Sequence, residues 1–330
     1  VYDRAGLALS ADEKAALEVE GRSAHWRLKL SGDQVGWRDL VRGEQKIDTA
    51  SVSDPVIRRA DGSWLYTLPS VVDDLDMNIS HVIRGEDHVT NTAAQVELIA
   101  ALGGKVPEFA HFSLMLGADG SGLSKRLGSL ALADLRDNGL EPTSLNAHIA
   151  RLGTADPVVP AQTMQEIIDG FDMARLGRAP ARFDPEDVKR LNARILHETP
   201  YAAVAERLAE IGAPAQAEFW EAMRGNIEKF ADMQNIMALI NGPITPVVET
   251  DDADYIALAR ALLPDAPLDT ESWSDWTGRL KDETGRKGRA LFMPLRMALT
   301  GQSHGPEMQH LLYHIGYDEA VVRLEAAGKH

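Results

Sequence analysis

The segment from Gly117 to Gly128 has a residue pattern typical of anion binding. It reads Gly-Ala-Asp-Gly-Ser-Gly-Leu-Ser-Lys-Arg-Leu-Gly, which places Ser124, Lys125 and Arg126 directly after a glycine-rich turn. Glycine lets the backbone approach an anion closely, and lysine beside serine near the start of a helix offers positive charge and N–H donors together. The segment predicts a polyphosphate site, and a plain surface turn with a Lys-Arg pair is the alternative.

Two upstream segments carry further polar side chains in apolar surroundings. Residues 64–74 read Trp-Leu-Tyr-Thr-Leu-Pro-Ser-Val-Val-Asp-Asp, and residues 81–88 read His-Val-Ile-Arg-Gly-Glu-Asp-His. We expect the strand that ends at Arg84 to be buried on both faces, where an arginine needs an anion. Arg84 therefore predicts a bidentate contact to a substrate carboxylate, and an ion pair with a neighbouring carboxylate is the structural alternative. The neighbouring carboxylates are those of Asp73, Asp74 and Glu86.

The elements that must position these residues are strands and helices in alternation. From Trp64 onward we expect an apolar strand through Tyr66, a strand near 81–84, a helix over 91–102 and a strand around 112–116. Such alternation favours a parallel sheet, whose ligands bind at the carboxyl ends of the strands. Both the 84–88 segment and the glycine-rich segment follow strands, so we expect them at one edge of one sheet. Tyr66 has the alternative role of a core tyrosine.

The flanking regions differ from this pattern. Ser10 and Glu13 form a capping box for a short helix that stops at Gly21, and residues 25–30 alternate as a half-buried strand, so residues 1 to about 60 predict a small mixed region. After Gly153 the pattern is helical. The expected helices lie at 163–169, 185–196, 201–211, 218–240 and 307–327.

Composition narrows the class of protein. The chain has 330 residues, of which 44% are hydrophobic, and no cysteine. This fits a globular protein of two or three domains and excludes disulfides, a thiol nucleophile and a cysteine zinc site. No apolar run approaches the roughly 20 residues that span a bilayer, so we expect a cytoplasmic protein with no membrane partner. His88 and His111 belong to no tight cluster of metal ligands, so we expect no protein metal site.

The net charge of −16 argues against nucleic-acid binding, since phosphate contacts need a basic surface. The charge is unevenly distributed, however. Six basic residues against two acidic ones give residues 279–296 a net charge of +4. The basic residues of this segment, here called the basic cluster, are Arg279, Lys281, Arg286, Lys287, Arg289 and Arg296. A solvated helix face is one explanation of the cluster, and an RNA contact is the other.

Taken together, the motifs resemble those of bacterial-type glutamyl-tRNA synthetases, which are class I aminoacyl-tRNA synthetases. Four motifs follow the family's order and spacing: the tyrosine segment, the paired aspartates, the Val-Ile-Arg-Gly-Glu-Asp-His segment and Leu-Ser-Lys-Arg. The last is the family's form of the "KMSKS" loop. The resemblance runs from Tyr2 to about Leu324. It implies an α/β fold plus an all-α region: part of a Rossmann-like class I core, part of an acceptor-binding insertion and a helical anticodon-binding region.

The resemblance also implies roles for individual residues. Glutamate would be bound by Tyr66, Ser70 and Arg84. ATP would be bound by Asp87, Met115, Gly122, Leu123, Ser124, Lys125 and Arg126, and the last three would act in catalysis. Mg²⁺ would arrive with ATP, no bound zinc is implied, and the basic cluster would bind tRNA. The family's loop often begins with lysine, whereas Gly122 stands there in this chain, so Lys125 and Arg126 are left as the main cations.

Four regions follow from the resemblance. Residues 1–62 would belong to the insertion that grips the tRNA acceptor end and 63–155 to the second half of the catalytic core. Residues 156–240 would form a helical stem-contact and anticodon-binding region, and 241–330 a C-terminal helical anticodon-binding domain. Class I synthetases hold ATP with a strand and a "HIGH" helix, which we do not find in these 330 residues. We therefore expect this chain alone to be an incomplete catalytic unit. The triplet His314-Ile315-Gly316 only imitates that signature, because it lies in a helical apolar pattern.

The expected reaction is the ATP-dependent ligation of L-glutamate to tRNA(Glu) by a monomeric enzyme, and the resemblance leaves tRNA(Gln) open as a second acceptor. Two other classes of function compete with it. One is a non-catalytic tRNA-binding fragment or paralogue, and the other is an unrelated α/β nucleotide-binding protein.

Overall fold

The structure, a computed structural model, describes residues 1–123 and 131–328. Within these residues the chain forms two compact units. The first, here called the sheet unit, comprises residues 1–123, 150–157 and 169–184, and the second, the helical unit, comprises 131–149, 158–168 and 185–328. The fold is thus α/β plus all-α, as the sequence predicts.

The strands lie in the sheet unit, at β1 Trp26–Arg27, β2 Gln34–Asp39, β3 Gly43–Asp48, β4 Val56–Arg58, β5 His81–Gly85, β6 Glu108–Phe112, β7 Met115–Gly117 and β8 Ala181–Phe183. The helices of the first 123 residues are α1 Ala5–Ala8, α2 Ala11–Val19, α3 Thr67–Asp76 and α4 Val89–Ala101. Those beyond residue 130 are α5 Leu132–Asp137, α6 Pro142–Arg151, α7 Met164–Asp169, α8 Pro185–Glu198, α9 Tyr201–Glu210, α10 Ala217–Met223, α11 Asp232–Asn241, α12 Ala253–Ala261, α13 Ser272–Thr284, α14 Arg289–Thr300, α15 Met308–Ile315 and α16 Tyr317–Ala327.

The main sheet has the strand order β3-β2-β6-β5. Strands β5 and β6 run parallel in register from the pair His81–Glu108 to the pair Gly85–Phe112, so their carboxyl ends are level. Strand β2 meets β6 in parallel at Asp39–Phe109 and pairs with β3 antiparallel. The predicted parallel pairing is confirmed for β5 and β6. The parallel part of the sheet also includes β2, a strand from the first 62 residues.

Helix α4 covers the sheet and carries polar side chains into it. Its buried face includes the apolar residues Ala93, Leu98 and Ile99, which pack in two small cores around Phe109 and Val71. The same face buries Thr92 and Gln95. The helix ends where Gly103 adopts a φ of 72°, and a side chain at Gly104 would collide with Leu75 of α3. The packing of α3 against the end of α4 therefore fixes the start of the segment that leads to β6.

Several element predictions need correction. Tyr66 does not lie on a strand; it is the residue before α3, which begins at Thr67. The strand expected at 112–116 is two strands, because the chain leaves β6 at Phe112 and re-enters at Met115 in a separate sheet with β8. The strand over 25–30 is only Trp26–Arg27. Strand β5 is not buried on both faces, because it lies at the edge of the sheet and His81 and Ile83 are exposed.

Two long predicted helices are each interrupted. The helix expected at 218–240 stops at Met223, passes through a 3₁₀ turn and restarts at Asp232, whose carboxylate accepts the main-chain N–H groups of Glu228 and Lys229. The helix expected at 307–327 breaks at Gly316, which has a φ of 77°. Apolar residues continue through both breaks, so periodicity alone does not reveal them. The predicted capping box of Ser10 and Glu13 is confirmed at the start of α2.

The helical unit has a continuous apolar core. Trp220 and Trp276 are completely buried, and each donates its indole N–H to a main-chain oxygen, of Thr199 and Ala259 respectively. One charged side chain, that of Arg323, is 2% exposed and belongs to the same interior. Across 1–123 and 131–328, every helix is too short or too polar to cross a membrane.

Candidate active site

Arg84 is the second-last residue of β5. Its guanidinium is surrounded by neutral hydrogen-bond acceptors. Its Nη2 donates to Thr92 Oγ1 at 2.7 Å and to Gln95 Oε1 at 2.6 Å. Its Nη1 donates to the Tyr66 hydroxyl at 3.1 Å, and its Nε donates to His111 Nε2 at 3.2 Å. Four of the five guanidinium N–H groups are thus engaged, and the plane of the guanidinium is fixed.

The charge of Arg84 has no carboxylate partner within salt-bridge distance among the residues that the structure describes. Glu86 instead pairs with Arg42 at 2.5 Å. Burial raises the pKa of Asp74, and the charge of Arg84 opposes that rise only at a distance. The ion pair that was the structural alternative is therefore not formed. A half-buried cation with neutral partners favours a mobile anion as its counter-charge.

Ser70 belongs to the same network through Gln95. The Gln95 amide donates from Nε2 to Ser70 Oγ at 3.1 Å, while its Oε1 accepts from Arg84. Ser70 Oγ lies 3.4 Å from the carbonyl of Thr67. The three residues expected to bind glutamate, Tyr66, Ser70 and Arg84, are therefore brought together. Thr92 and Gln95 were not predicted from the sequence, where their signal is two polar residues three positions apart on the apolar face of a helix.

A fully buried Asp–His pair backs this network. His111 Nδ1 lies 2.5 Å from Asp39 Oδ2, and both side chains are completely inaccessible to solvent. Burial lowers the pKa of His111, against the opposing effect of Asp39. Burial would raise the pKa of Asp39, but hydrogen bonds from His111 and from main-chain amides hold it below its ordinary value. Both directions favour a neutral imidazole beside an ionised carboxylate.

Asp87 lies just after the carboxyl end of β5, and Met115 is the first residue of β7. Asp87 lies in the 3₁₀ turn after β5 and is exposed, with its Oδ2 3.8 Å from His88 Nε2. A Cβ at Gly85 would stand 2.5 Å from Asp87 Oδ1 and 3.3 Å from Leu114 Cδ2. The turn after β5 and the segment after β6 therefore approach each other closely. The 84–88 segment follows β5 of the main sheet, whereas the glycine-rich segment follows β7 of the separate sheet with β8, which corrects the expectation of a single sheet edge.

The glycine-rich segment is described up to Leu123. Strand β7 ends at Gly117, whose N–H donates to the carbonyl of Ser121 at 2.8 Å, and Gly120 adopts a φ of 80°. Asp119 accepts from the amide and hydroxyl of Ser121, which lowers the pKa of this exposed carboxyl. These bonds close a tight turn that brings Gly122 opposite Leu116. Ser124, Lys125 and Arg126 lie outside the described residues.

The basic cluster divides into two kinds of residue. Arg286 is bonded to Asp252 and lies over the ring of Tyr255 at 4.2 Å, and Arg296 donates to the carbonyl of Pro306 at 2.5 Å. Burial lowers the pKa of Arg296. The remaining four are exposed: Arg279, Lys281, Lys287 and Arg289.

A second basic surface lines a cavity of about 520 Å³ in the first 54 residues. Its individual residues were not predicted from the sequence. Arg4 pairs there with Asp54 at 2.8 Å, and the guanidinium of Arg27 lies 4.3 Å from the ring of Tyr2. The other basic residues that line it are Lys14, Arg22, His25 and Lys29. Cations interleaved with an aromatic ring are typical of nucleic-acid contacts.

Comparison with known proteins agrees with this arrangement. Residues 1–190 match the family described as tRNA synthetases class I (E and Q), catalytic domain, and residues 190–328 match the anticodon binding domain. These two matches define the class: a class I tRNA synthetase catalytic domain followed by an anticodon-binding domain.

The relatives identify the family within that class. Glutamate–tRNA ligase 1 of Maricaulis maris is 54% identical over 325 residues, which are 98% of this chain and 73% of the relative. Glutamate–tRNA ligase 2 of Hyphomonas neptunium is 53% identical, with the same coverage. The crystal structure of a glutamate tRNA ligase from Elizabethkingia meningosepticum in complex with its amino acid has a TM-score of 0.81 and 26% identity, and covers 98% of this chain and 72% of that one. This chain belongs to the glutamate–tRNA ligase family.

Proposed function

We propose that this chain carries the amino-acid site, part of the ATP site and the tRNA-binding surfaces of an enzyme that ligates L-glutamate to tRNA(Glu). The observation that carries the proposal is Arg84, a rigidly held cation with neutral partners, in a chain of the glutamate–tRNA ligase family. Glutamate supplies the missing negative charge.

The contact to glutamate follows from the donors that remain. Arg84 keeps one N–H on Nη1, and the Tyr66 hydroxyl, which accepts from that same Nη1, keeps its own proton to donate. A carboxylate that bridges these two donors satisfies both. The arrangement replaces the expected bidentate contact to Arg84 alone, because three of the four N–H groups of Nη1 and Nη2 are already engaged.

The chemistry has two steps. In the first, an oxygen of the glutamate α-carboxylate bonds to the α-phosphorus of ATP, and the bond to pyrophosphate breaks with its electron pair on the leaving group. In the second, the terminal ribose hydroxyl of tRNA attacks the acyl carbon, the bond to AMP breaks with its electron pair on AMP, and the hydroxyl proton is released to AMP or water. The first step requires no general base; the protein orients the carboxylate and stabilises negative charge on the phosphates.

The nucleotide side of the site rests on residues at the two strand ends. We infer that Asp87, Met115, Gly122 and Leu123 line the ATP site and that Ser124, Lys125 and Arg126 act on the phosphates. The exposed residue Met115 at the start of β7 and the tight turn at 117–122 suit a bound nucleotide. Mg²⁺ would enter with ATP, since its preferred ligands include phosphate oxygens and water.

For tRNA we propose two surfaces, the exposed residues of the basic cluster for the anticodon arm and the cavity of the first 54 residues for the acceptor end. The region boundaries at 62, 155 and 240 remain part of this proposal. We further propose a cytoplasmic monomer, and leave tRNA(Gln) as a second acceptor to be tested by charging assays with both tRNAs.

The first prediction tests the glutamate site. In the complete gene product, Arg84→Lys should raise the KM for glutamate in ATP–pyrophosphate exchange roughly 10- to 150-fold, the cost of a hydrogen bond to a charged group of about 1.5–3 kcal/mol. Lysine keeps the charge but cannot bridge four acceptors in one plane. The KM for ATP should change little.

The matched control is Arg38→Lys, an exposed arginine on β2 beside the buried Asp39. It should leave both KM values unchanged. A wild-type protein that binds tRNA but shows no glutamate-dependent exchange would instead support the non-catalytic alternative.

The second prediction concerns tRNA. Arg279, Lys287 and Arg289 changed together to glutamine should weaken tRNA binding and lower the dependence of log K on log salt by up to roughly one unit for each lost phosphate contact. Arg286 is left intact, because its bond to Asp252 makes it a structural residue as well. Binding is measured by titration at several salt concentrations.

A triple glutamine variant of Lys189, Arg190 and Arg194 on α8 removes the same charge from the helical unit and serves as the control. We expect it to keep the parent's salt dependence apart from a small general effect of net charge. An equal loss in both triple variants would show that the basic cluster has no special contact with tRNA.

A further inference from the structure

The buried pair Asp39–His111 has a role that its place behind Arg84 defines. We propose that His111, oriented by Asp39, is a positioning residue that holds the Arg84 guanidinium in the plane that receives glutamate. The inference rests on the proposed function of Arg84 as the glutamate-binding cation, and deepens it.

Hydrogen-bond chemistry sets the tautomer of His111. Because ionised Asp39 can only accept, the proton of the neutral imidazole lies on Nδ1, 2.5 Å from Asp39 Oδ2. The lone pair then lies on Nε2, which faces Arg84 Nε at 3.2 Å and Thr92 Oγ1 at 3.0 Å. The opposite tautomer would set an N–H of His111 against the N–H of Arg84.

Packing holds the imidazole in this orientation. The ring of Phe109 lies nearly parallel to that of His111, with 6.1 Å between centroids and 16° between planes, and Trp37 meets the imidazole edge-on at 6.4 Å. Asp39 is fixed in turn, since its Oδ1 accepts the main-chain N–H groups of Val41, Arg42 and His111. The acceptor atom Nε2 of His111 is therefore held in a fixed position beside Arg84 Nε.

Different elements therefore bind different nitrogen atoms of the Arg84 guanidinium. His111 anchors Nε, and α4 anchors Nη2 through Thr92 and Gln95, which leaves the edge at Nη1 for Tyr66 and the ligand. Preorganised charge of this kind lowers the reorganisation needed when the substrate binds.

Two substitutions at one position separate positioning from packing. In His111→Asn the amide can still donate to Asp39 but does not reach Arg84, whereas in His111→Gln the Oε1 can occupy the place of Nε2 and accept from Arg84. In the complete gene product we expect His111→Asn to raise the KM for glutamate about tenfold or more. We expect His111→Gln to stay within about threefold of wild type, with the KM for ATP unchanged in both.

Asp39→Asn provides an independent test through the tautomer. Its amide can donate to Nδ1 and drive the proton to Nε2, against Arg84, so the KM for glutamate should rise as in His111→Asn while the fold is kept. Equal KM changes in the two His111 variants, parallel changes for glutamate and ATP, or loss of folding in all three variants would overturn the proposal in favour of a purely structural pair. If wild type itself shows no glutamate-dependent exchange, it is the proposed function that fails.

Discussion

Replacing Arg323 with alanine should lower the free energy of unfolding by about 3–5 kcal/mol, the cost of removing one partner from a buried charged network. Arg323 lies on α16 with its side chain 2% exposed. Its Nη1 donates to the carbonyls of Leu239 and Leu299, both at 2.9 Å, and its Nη2 donates to those of Ile240 and Gly242 at 3.0 and 3.1 Å.

These four carbonyls belong to the ends of two helices, α11 and α14. The last carbonyls of a helix have no partner within it and carry the negative end of its dipole, so a cation placed there is favourable. Without Arg323, buried carbonyls of both helix ends would lose their donors at once. The measurement is urea unfolding followed by tryptophan fluorescence, since Trp220 and Trp276 lie in the same core.

Two further variants identify the cause. Glu319→Gln removes the carboxylate that accepts from Arg323 Nε at 2.8 Å, but Glu319 is 40% exposed, so the change should cost no more than about 1 kcal/mol. Arg323→Met keeps much of the side-chain volume without the donors, and should lose nearly as much stability as Arg323→Ala. If methionine restores most of the stability, packing rather than hydrogen bonding explains the role of Arg323.

Arg323 also illustrates what sequence patterns cannot supply. In α16 it follows Glu319 by four positions, which looks like an ordinary surface ion pair. Its burial depends on the ends of two helices that are distant in the sequence. The carbonyls at the end of α11 lie 81 to 84 positions before Arg323, and the carbonyl at the end of α14 lies 24 positions before it. Local periodicity predicted the helices of this region, but it did not reveal the breaks at Arg224–Asn226 and Gly316, because buried apolar residues continue across both.

The candidate site shows the same division. Residue type and spacing pointed to Tyr66, Ser70 and Arg84, and the structure places them in one hydrogen-bonded network. The supporting side chains were not predictable, because Asp39, Gln95 and His111 come from three elements that only the fold brings together. The assumption that β5 is buried on both faces was wrong as well. The conclusion drawn for Arg84 does not depend on it, since its guanidinium is half-buried by Thr92 and Gln95 of α4 and by His111 of β6.

Lys125→Ala in the complete gene product should reduce turnover by about 2.7–4 kcal/mol of transition-state stabilisation, which is roughly 100- to 1,000-fold. Lys125 lies outside the described residues, so the expectation rests on its place after the glycine-rich turn and on the family to which the chain belongs. Charge builds up on the pyrophosphate as the phosphorus–oxygen bond breaks, so a lysine that acts there lowers the barrier more than it strengthens ATP binding. The KM for ATP should therefore change much less than kcat.

The position of Gly122 makes this prediction sharper. Where the family's loop often has a first lysine, this chain has a glycine that pairs with Leu116 at the end of the turn, so no second lysine is available to replace Lys125. Lys105→Ala, an exposed lysine near the start of β6, is the control and should leave turnover unchanged. Unchanged turnover in Lys125→Ala, together with a large loss in Arg126→Ala, would assign the phosphate charge to Arg126 instead, because these are the two cations that the loop offers to the leaving group.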